Sequence, residues 1–221
     1  MTKETMKRIL SSLVMIPLSL FFILKGSIYF VLFLSIFLLI SSYEWIKLTK
    51  SKVVLFIGLF YLLLTSYSAF LLRGNSKQEL IFFLFIILIS VSTDIGGYVF
   101  GNLFKGPKLT KISPKKTYSG VLGSYICSII FSYLFLKFFQ DELVIKWLII
   151  NNFKIFIFLS IIILLISTIS QIGDLIISYF KRLSNAKDTG TFIPGHGGLL
   201  DRTDGIIFVI PIVYIISYLL K

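Results

Sequence analysis

The chain has 221 residues, of which 57% are hydrophobic and 14% are charged, and its mean hydropathy is +0.95. Charged residues make up about a quarter of an average soluble domain, so this composition excludes an ordinary soluble protein and indicates an integral membrane protein. The formal net charge of +12 favours anionic partners such as membrane lipids or a polyphosphate.

Seven apolar segments are long enough to cross a bilayer, because a spanning helix needs about 20 mostly apolar residues. The segments lie near residues 9–25, 27–43, 53–72, 80–100, 119–138, 154–180 and 204–220. No small-x-small cleavage motif follows the first segment, so we expect a retained helix rather than a signal peptide. The sequence predicts an all-α polytopic membrane protein in which residues 1–221 form a single membrane domain.

Lys and Arg residues are unevenly distributed between the two membrane faces. If the N-terminus is cytoplasmic, 15 of the 22 fall in cytoplasmic segments, which is the excess that short cytoplasmic loops carry. The two most basic loops, which follow the fourth and sixth segments, then share the cytoplasmic face. We expect no nucleic-acid partner, because the cations are spread over short loops and no soluble reading domain is present.

The acidic residues divide the chain into two parts. Every Asp lies in the second half, whereas Glu44, at a helix end, is the one acid within the first three segments. We therefore expect residues 1–75 to form N-terminal scaffold helices and residues 76–221 to form the catalytic half.

Two Asp residues fall near the cytoplasmic ends of predicted helices, Asp94 in the fourth and Asp174 in the sixth. An ionised carboxylate inside a span costs at least ~2.5 kcal/mol, so it tends to face a partner or a wet cavity. Ser178 and Lys181 extend a polar stripe from Asp174 towards the cytoplasm. For Asp94 the alternative is a close helix-packing groove that includes Gly97, with the carboxylate bonded to a neighbouring helix.

Asp201 and Asp204 precede the last segment and can project from one face of its first turn. Thr203 or Asp204 is also a candidate N-cap, although capping does not explain Asp201. Several carboxylates and most basic residues thus share one face. Carboxylates bind hard divalent cations and basic side chains neutralise phosphate charge, so the pattern favours phosphoryl-transfer chemistry.

The loop at 101–120 contains five Lys and two Pro. Adjacent Lys115 and Lys116, with the hydroxyl groups of Ser113 and Thr117, form a candidate triphosphate cradle. The alternative is an ordinary basic loop that contacts anionic lipid. No GxxxxGK[ST] or GxGxxG motif is present, so a nucleotide would be bound by another arrangement.

Residues 178–204, SYFKRLSNAKDTGTFIPGHGGLLDRTD, resemble the signature of phosphatidate cytidylyltransferases, also called CDP-diacylglycerol synthases. The matching positions are Ser178, Lys181, Arg182, Lys187, Asp188, Gly190, Pro194, Gly195, His196, Gly197, Gly198, Asp201, Arg202 and Asp204. The segments STDIGGYVFG around Asp94, Gly-Asp-Leu at 173–175 and SPKKT at 113–117 resemble further elements of that family. The chain departs from the family at Ser119, where a Glu is usual. Because some relatives have eight or nine membrane-spanning helices, eight or nine helices are alternatives to the predicted seven.

The resemblance implies transfer of the cytidylyl group of CTP to phosphatidic acid, giving CDP-diacylglycerol and pyrophosphate for phospholipid biosynthesis. It implies Mg²⁺, with a second cation left open, bound by Asp174 and Asp201, with Asp204 and Asp94 as weaker candidates. The implied catalytic residues are Lys187, Asp188, Arg202 and His196, although a structural loop hydrogen bond is nearly as good an account of His196. The implied substrate-binding residues are Ser113, Lys115, Lys116, Thr117, Ser178, Lys181, Arg182, Gly195, Gly197 and Gly198.

The expected location is a bacterial cytoplasmic membrane, with the active site facing the cytoplasm and a homodimer left open. One alternative function is a related CTP-dependent membrane lipid kinase or cytidylyltransferase. The other is a non-enzymatic transporter. Two features argue against a transporter: the polar residues cluster at one face, and no inverted repeat is visible in the sequence.

Overall fold

The computed structural model describes residues 3–139, 153–195 and 197–219. Within these ranges the protein is built from helices, and seven of them are long and apolar enough to cross a membrane. They are α1 (Lys3–Lys25), α2 (Ser27–Leu48), α3 (Lys52–Arg73), α4 (Lys77–Phe104), α5 (Tyr118–Phe138), α6 (Phe153–Leu183) and α7 (Leu200–Leu219). The prediction of an all-α polytopic membrane protein with seven spans is confirmed for the described residues.

Several helices continue beyond the apolar segments that predicted them. The helix α2 ends at Leu48, α6 ends at Leu183, and α7 begins at Leu200 rather than at 204. Hydropathy identifies only the part of a helix that faces lipid, whereas the backbone ladder continues wherever the terminal groups find partners. The prediction that Thr203 or Asp204 caps the last helix is wrong, because both lie inside α7.

Glycine residues bring α4 and α5 into close contact. A Cβ atom on Gly97 would lie 2.9 Å from Ser124 Oγ, and one on Gly123 would lie 2.8 Å from the Gly96 carbonyl oxygen. Small residues at such positions let two helix backbones approach closely in a membrane. The glycine-containing face around Asp94 therefore packs against α5. This agrees with the alternative given above, in which Gly97 lies in a close helix-packing groove.

Hydrogen bonds between side chains join α4, α5 and α6 inside the bundle. Thr93 Oγ1 donates to Ser167 Oγ at 2.9 Å, and Ser124 Oγ donates to the Thr93 carbonyl oxygen at 2.7 Å. The hydroxyl groups of Tyr125 and Thr168 are 2.9 Å apart. Hydroxyl groups inside a membrane-spanning bundle need such partners, so these bonds fix the relative positions of three helices next to Asp94.

A buried arginine organises the opposite end of the bundle. Arg73 donates from Nε to the Ile23 carbonyl at 3.0 Å, from Nη2 to Leu24 at 3.1 Å and from Nη1 to Gly74 at 2.7 Å. Its guanidinium group thus satisfies carbonyl groups at the C-terminal end of α1, where the helix dipole favours a cation.

Two loops lie next to each other at the end that carries the candidate site. The SPKKT loop, residues 105–117, connects α4 to α5, and the signature loop, residues 184–199, connects α6 to α7. Arg182 Nε at the end of α6 donates to the Ile112 carbonyl oxygen at 3.3 Å, which joins the two connections. The two most basic loops therefore lie at the same end of the bundle, as the charge distribution predicted.

Candidate active site

Three Asp side chains from three helices meet at the loop end of the bundle. Asp94 lies in the C-terminal half of α4, Asp174 in the last third of α6 and Asp204 in the second turn of α7. The carboxyl groups of Asp174 and Asp204 are in hydrogen-bonding contact, and Asp94 is close enough to interact electrostatically with both. Asp204 is buried and Asp94 is exposed, so this group, called the acidic cluster below, opens on one side.

A lysine from the SPKKT loop reaches the acidic cluster. Lys116 Nζ lies 2.7 Å from Asp174 Oδ2 and donates to the Gln171 carbonyl oxygen at 3.1 Å. Ser178 Oγ donates to the other oxygen of Asp174 at 3.3 Å. Asp174 thus has one cationic and one neutral donor, and its side chain remains 27% exposed, so further ligands can approach it.

The other predicted phosphate-binding residues of the SPKKT loop have different surroundings. Thr117 is the N-cap of α5, because its Oγ1 accepts a hydrogen bond of 3.1 Å from the Gly120 amide. The Ser113 carbonyl oxygen accepts a 3.0 Å bond from the Lys116 amide and closes a turn, and Lys115 is exposed. The turn therefore directs adjacent lysines differently, one to the acidic cluster and one to the surface.

Asp201 accepts hydrogen bonds from α6 and from the signature loop. Its Oδ1 accepts from Lys181 Nζ at 2.7 Å. Its Oδ2 accepts from the amides of Thr189 at 2.7 Å and Gly198 at 3.0 Å, and lies 3.1 Å from the Thr189 hydroxyl. Oδ1 therefore pairs with α6 and Oδ2 holds the signature loop against the start of α7, and the side chain is only 7% exposed.

Glu44 of α2 reaches the same loop from the other side. Its Oε1 accepts from the Leu199 amide at 2.8 Å, and its Oε2 accepts from the Leu200 amide and the Thr189 hydroxyl, each at 2.9 Å. The residue is 2% exposed. Glu44 thereby satisfies amide groups at the start of α7, where the helix dipole favours an anion.

Two glycines of the signature loop make room for Glu44. A Cβ atom on Gly190 would lie 2.8 Å from Glu44 Oε1, and one on Gly198 would lie 2.5 Å from Glu44 Oε2 and would also meet the Thr189 hydroxyl. Side chains at these positions would displace the carboxylate. The amide of Gly198 is already bonded to Asp201, so in this arrangement it serves the loop itself.

The glycines at the loop tip adopt a tight hairpin-like turn. Gly197 and Ile193 exchange backbone hydrogen bonds of 2.9 and 3.2 Å, and Gly197 has a φ of +91°, which favours glycine. Gly195 also has a positive φ, and its carbonyl oxygen accepts a 2.8 Å bond from Arg8 Nε of α1. The predicted catalytic residue His196 lies outside the described residues.

Four charged positions of the predicted site lie on the surface around the signature loop. They are Arg182, Lys187, Asp188 and Arg202, all of which are exposed. Lys181, by contrast, is paired with Asp201 and is close enough to act electrostatically on Asp174 and Asp204. The site thus combines fixed lysines beside the carboxylates with basic side chains at its rim.

The acidic cluster fits a hard divalent cation. A divalent cation bound beside the Asp174 and Asp204 carboxyl groups would allow both to ionise without mutual repulsion. Among the described residues, no group of three or more Asp, Glu, His or Cys side chains is arranged as a complete metal site. Mg²⁺ does not require one, because it usually binds through one or two carboxylates together with waters and substrate phosphates. The cluster therefore suits Mg²⁺ that is shared with a phosphate-bearing substrate.

Sequence reasoning missed the contacts of Glu44 and Thr189. An available signal was the acid itself, since a carboxylate at the end of an apolar helix normally has a specific partner. Its partner could not be identified, because Thr189 is 145 residues away along the chain.

Comparison with known proteins gives a consistent result. A profile described as the cytidylyltransferase family matches residues 49–220. A phosphatidate cytidylyltransferase of Rickettsia felis is 38% identical over 218 residues, which cover 96% of this chain and 92% of that protein. The Rickettsia conorii protein of the same name is 37% identical over 215 residues, with 95% and 90% covered.

A longer relative matches a smaller part. The phosphatidate cytidylyltransferase of Staphylococcus saprophyticus is 40% identical over 146 residues, which cover 66% of this chain and 52% of that protein. The family profile includes the SPKKT loop, the signature loop and all three acids of the cluster, whereas Glu44 and Arg8 precede it.

Proposed function

The chain belongs to the cytidylyltransferase family, and from this premise we propose that it transfers the cytidylyl group of CTP to phosphatidic acid, giving CDP-diacylglycerol and pyrophosphate. Relatives named phosphatidate cytidylyltransferase support this pair of substrates, since two of them match nearly the whole chain. The reaction would supply an activated lipid for phospholipid biosynthesis.

The observation that carries the proposal is the meeting of the acidic cluster with two basic loops. Lys116 of the SPKKT loop pairs with Asp174, and Lys181, in the last turn of α6 just before the signature loop, pairs with Asp201, each at 2.7 Å. A triphosphate requires both carboxylate-bound cations and basic side chains around it. This end of the bundle supplies both types of group next to each other.

We propose that Asp174, with Asp204 and Asp94 beside it, holds Mg²⁺ when the substrates are bound. The fit rests on the contact between the Asp174 and Asp204 carboxyl groups and on the remaining exposure of Asp174. Bound Mg²⁺ would neutralise negative charge on the triphosphate. Asp201, which the sequence also predicts as a ligand, already accepts hydrogen bonds on both oxygens, so we propose that it supports the loop.

The nucleophile in this reaction is a phosphate oxygen of phosphatidic acid, which is already an anion near neutral pH. It attacks the α-phosphorus of CTP, so a new P–O bond forms while the bond to the departing pyrophosphate breaks. No strong general base is required, and alignment with charge neutralisation provides most of the acceleration. Lys116 and Lys181 are fixed where they can neutralise phosphate oxygens.

The surface residues complete the proposed binding of the two substrates. Lys115, Lys187 and Arg202 would contact phosphate groups, and Asp188 would orient basic neighbours at the rim. Their exposure allows them to reach a soluble nucleotide. We further propose that this end faces the cytoplasm of a bacterium, because CTP is a soluble cytoplasmic metabolite and the loops are basic.

A pyrophosphate-release assay tests the proposed function. The purified protein in detergent, given CTP, Mg²⁺ and phosphatidic acid, should release pyrophosphate in step with CDP-diacylglycerol formation. Replacing phosphatidic acid by a polyprenol should abolish release, and replacing Mg²⁺ by chelator should do the same. Absence of product with phosphatidic acid, or phosphorylation of the polyprenol, would contradict the proposal.

A further inference from the structure

We propose that Glu44 is a positioning residue for catalysis, which sets the signature loop in register with the start of α7. The inference rests on the proposed function, because it states how this chain holds the loop beside the acidic cluster. Glu44 itself lies behind the loop, and it acts through Thr189 and Asp201.

The Glu44 carboxylate accepts hydrogen bonds on both of its oxygens. Its two oxygens accept bonds from the Leu199 amide, the Leu200 amide and the Thr189 hydroxyl at 2.8 to 2.9 Å. A buried carboxylate is stable only when its oxygens accept such bonds, and bonds to an ionised acceptor are the strong ones. One side chain of α2 is therefore bonded to the middle of the signature loop, to its last residue and to the first residue of α7.

The hydroxyl group of Thr189 lies between two carboxylates. Thr189 Oγ1 lies 2.9 Å from Glu44 Oε2 and 3.1 Å from Asp201 Oδ2. A hydroxyl donates only one proton, so the two carboxylates compete for it. A displacement of the Glu44 carboxylate therefore changes the hydrogen bonding of Asp201, which in turn pairs with Lys181 at 2.7 Å.

Lys181 connects Asp201 to the acidic cluster. Lys181 is near enough to act electrostatically on Asp174 and Asp204. A shift of the loop would loosen the bonds from the Thr189 and Gly198 amides to Asp201, the partner of Lys181, and would move Lys187, which the proposed function places near the substrate phosphates. Misplacement of groups by about 1 Å can cost about 100-fold in rate.

The test uses Glu44→Gln in the full-length protein, with Ser41→Ala as the matched control. Gln keeps the shape of Glu, but its amide NH₂ must face a donor of the loop or helix start, so at least one bond is lost. Ser41 is equally buried one turn earlier on α2, and its hydroxyl bonds within α2 to the Phe37 carbonyl at 2.6 Å. We expect the control to retain wild-type behaviour.

Two readouts are measured on both variants. Hydrogen exchange of amides in 187–200 should accelerate about tenfold or more in Glu44→Gln, with exchange in the other helices unchanged. The turnover number, kcat, with saturating CTP and phosphatidic acid should fall about 10- to 100-fold. A normal kcat of Glu44→Gln would overturn the inference, whether or not the loop amides exchange faster. Faster exchange throughout the bundle would also overturn it, because the role would then be general stability.

A second pair of variants covers the case in which Glu44→Gln does not fold. Thr189→Val removes the shared hydroxyl while leaving Glu44 charged, and Thr189→Ser restores it. We expect Val to accelerate exchange of the loop and lower kcat, and Ser to recover most of both. Failure of Ser to recover them would overturn the transmission through the hydroxyl. If wild-type protein makes no CDP-diacylglycerol, the proposed function fails, whereas the exchange measurement still decides whether Glu44 holds the loop.

Discussion

Asp174 and Asp201 have the same side chain but different surroundings. Asp174 has one cationic donor and remains partly exposed, whereas Asp201 accepts hydrogen bonds on both oxygens and is 7% exposed. A carboxylate whose lone pairs are occupied must break existing bonds before it can bind a metal. Asp174 therefore leaves room for a further ligand and Asp201 does not, so we expect the same substitution to have different effects at the two residues.

We expect Asp174→Asn to lower activity at least ~100-fold and to raise the Mg²⁺ concentration needed for half-maximal rate, because the metal loses a charged ligand. Asp201→Asn should also lower activity, since an Asn amide group cannot accept the bonds from Thr189, Gly198 and Lys181 together. For Asp201→Asn, however, the half-maximal Mg²⁺ concentration should stay near the wild-type value.

Hydrogen exchange separates the two variants further. Loop amides in 187–200 should exchange faster in Asp201→Asn and at the wild-type rate in Asp174→Asn. A shifted Mg²⁺ requirement without faster loop exchange in Asp201→Asn would instead identify Asp201 as a metal ligand.

The helices α4 and α5 set the depth and direction of Asp94. Their backbones approach closely because Gly96 faces Gly123, and no larger side chain fits there without displacing the neighbouring helix. Thr93, the residue before Asp94, is held at the same contact by Ser124 Oγ at 2.7 Å. The position of Asp94 in the acidic cluster thus depends on a contact between two small residues.

Gly123→Ala should destabilise the protein by about 1–3 kcal/mol, because its Cβ would meet the Phe100 ring and lie 2.8 Å from the Gly96 carbonyl oxygen. Thermal unfolding in detergent, followed by circular dichroism, measures the change. Gly101→Ala is the control, since its Cβ would lie 3.2 Å from Thr117 Oγ1, and that contact can relax. Equal midpoints for the Gly123 variant and wild type would show that the close contact is not required.

The start of α7 shows how one element is completed by another. The amides of Leu199 and Leu200 are satisfied by Glu44 of α2, and the amide of Gly198 by Asp201 of α7 itself. The helix can therefore begin in a polar segment before its apolar run. Neither a local capping motif nor hydropathy indicates this start.

The whole molecule separates its polar loops by end. The SPKKT and signature loops lie together at one end, whereas Arg73 and the α3–α4 connection lie at the other. Basic loops are retained on the cytoplasmic side during insertion, so the asymmetry predicts which end faces the cytoplasm. A cytoplasmic position of the loops would give them direct access to CTP.

Cysteine labelling tests this orientation in a Cys127→Ser background, which lacks the single native thiol. Asn75→Cys in the α3–α4 connection should react with a membrane-impermeant maleimide in intact cells. Lys50→Cys and Lys111→Cys, which lie in exposed loops at the other end, should react only after the membrane is opened. The opposite pattern would place the acidic cluster on the outer face.

Most of the architecture could be predicted from the sequence, because a bilayer requires each spanning segment to satisfy its own backbone and to present apolar side chains. The ends of the helices were less predictable, because this requirement applies only inside the bilayer. Polar residues extend α2 to Leu48, and polar residues precede the apolar run of α7, which begins at Leu200. The motif indicated which residues belong to the candidate site. It could not distinguish Asp174 from Asp201, since the lysine that pairs with each is brought there only by the fold.

The sequence by itself determined the seven spans, the basic end and the set of acids and lysines gathered there, because hydropathy, charge and spacing are local properties of the chain. Only the tertiary structure decided that Asp204 and Asp94 stand with Asp174, that Asp201 is occupied by the loop, and that Glu44 supports it. Those relations join residues far apart in the chain, and the partners of a carboxylate depend on which donors the folded helices bring within 3 Å.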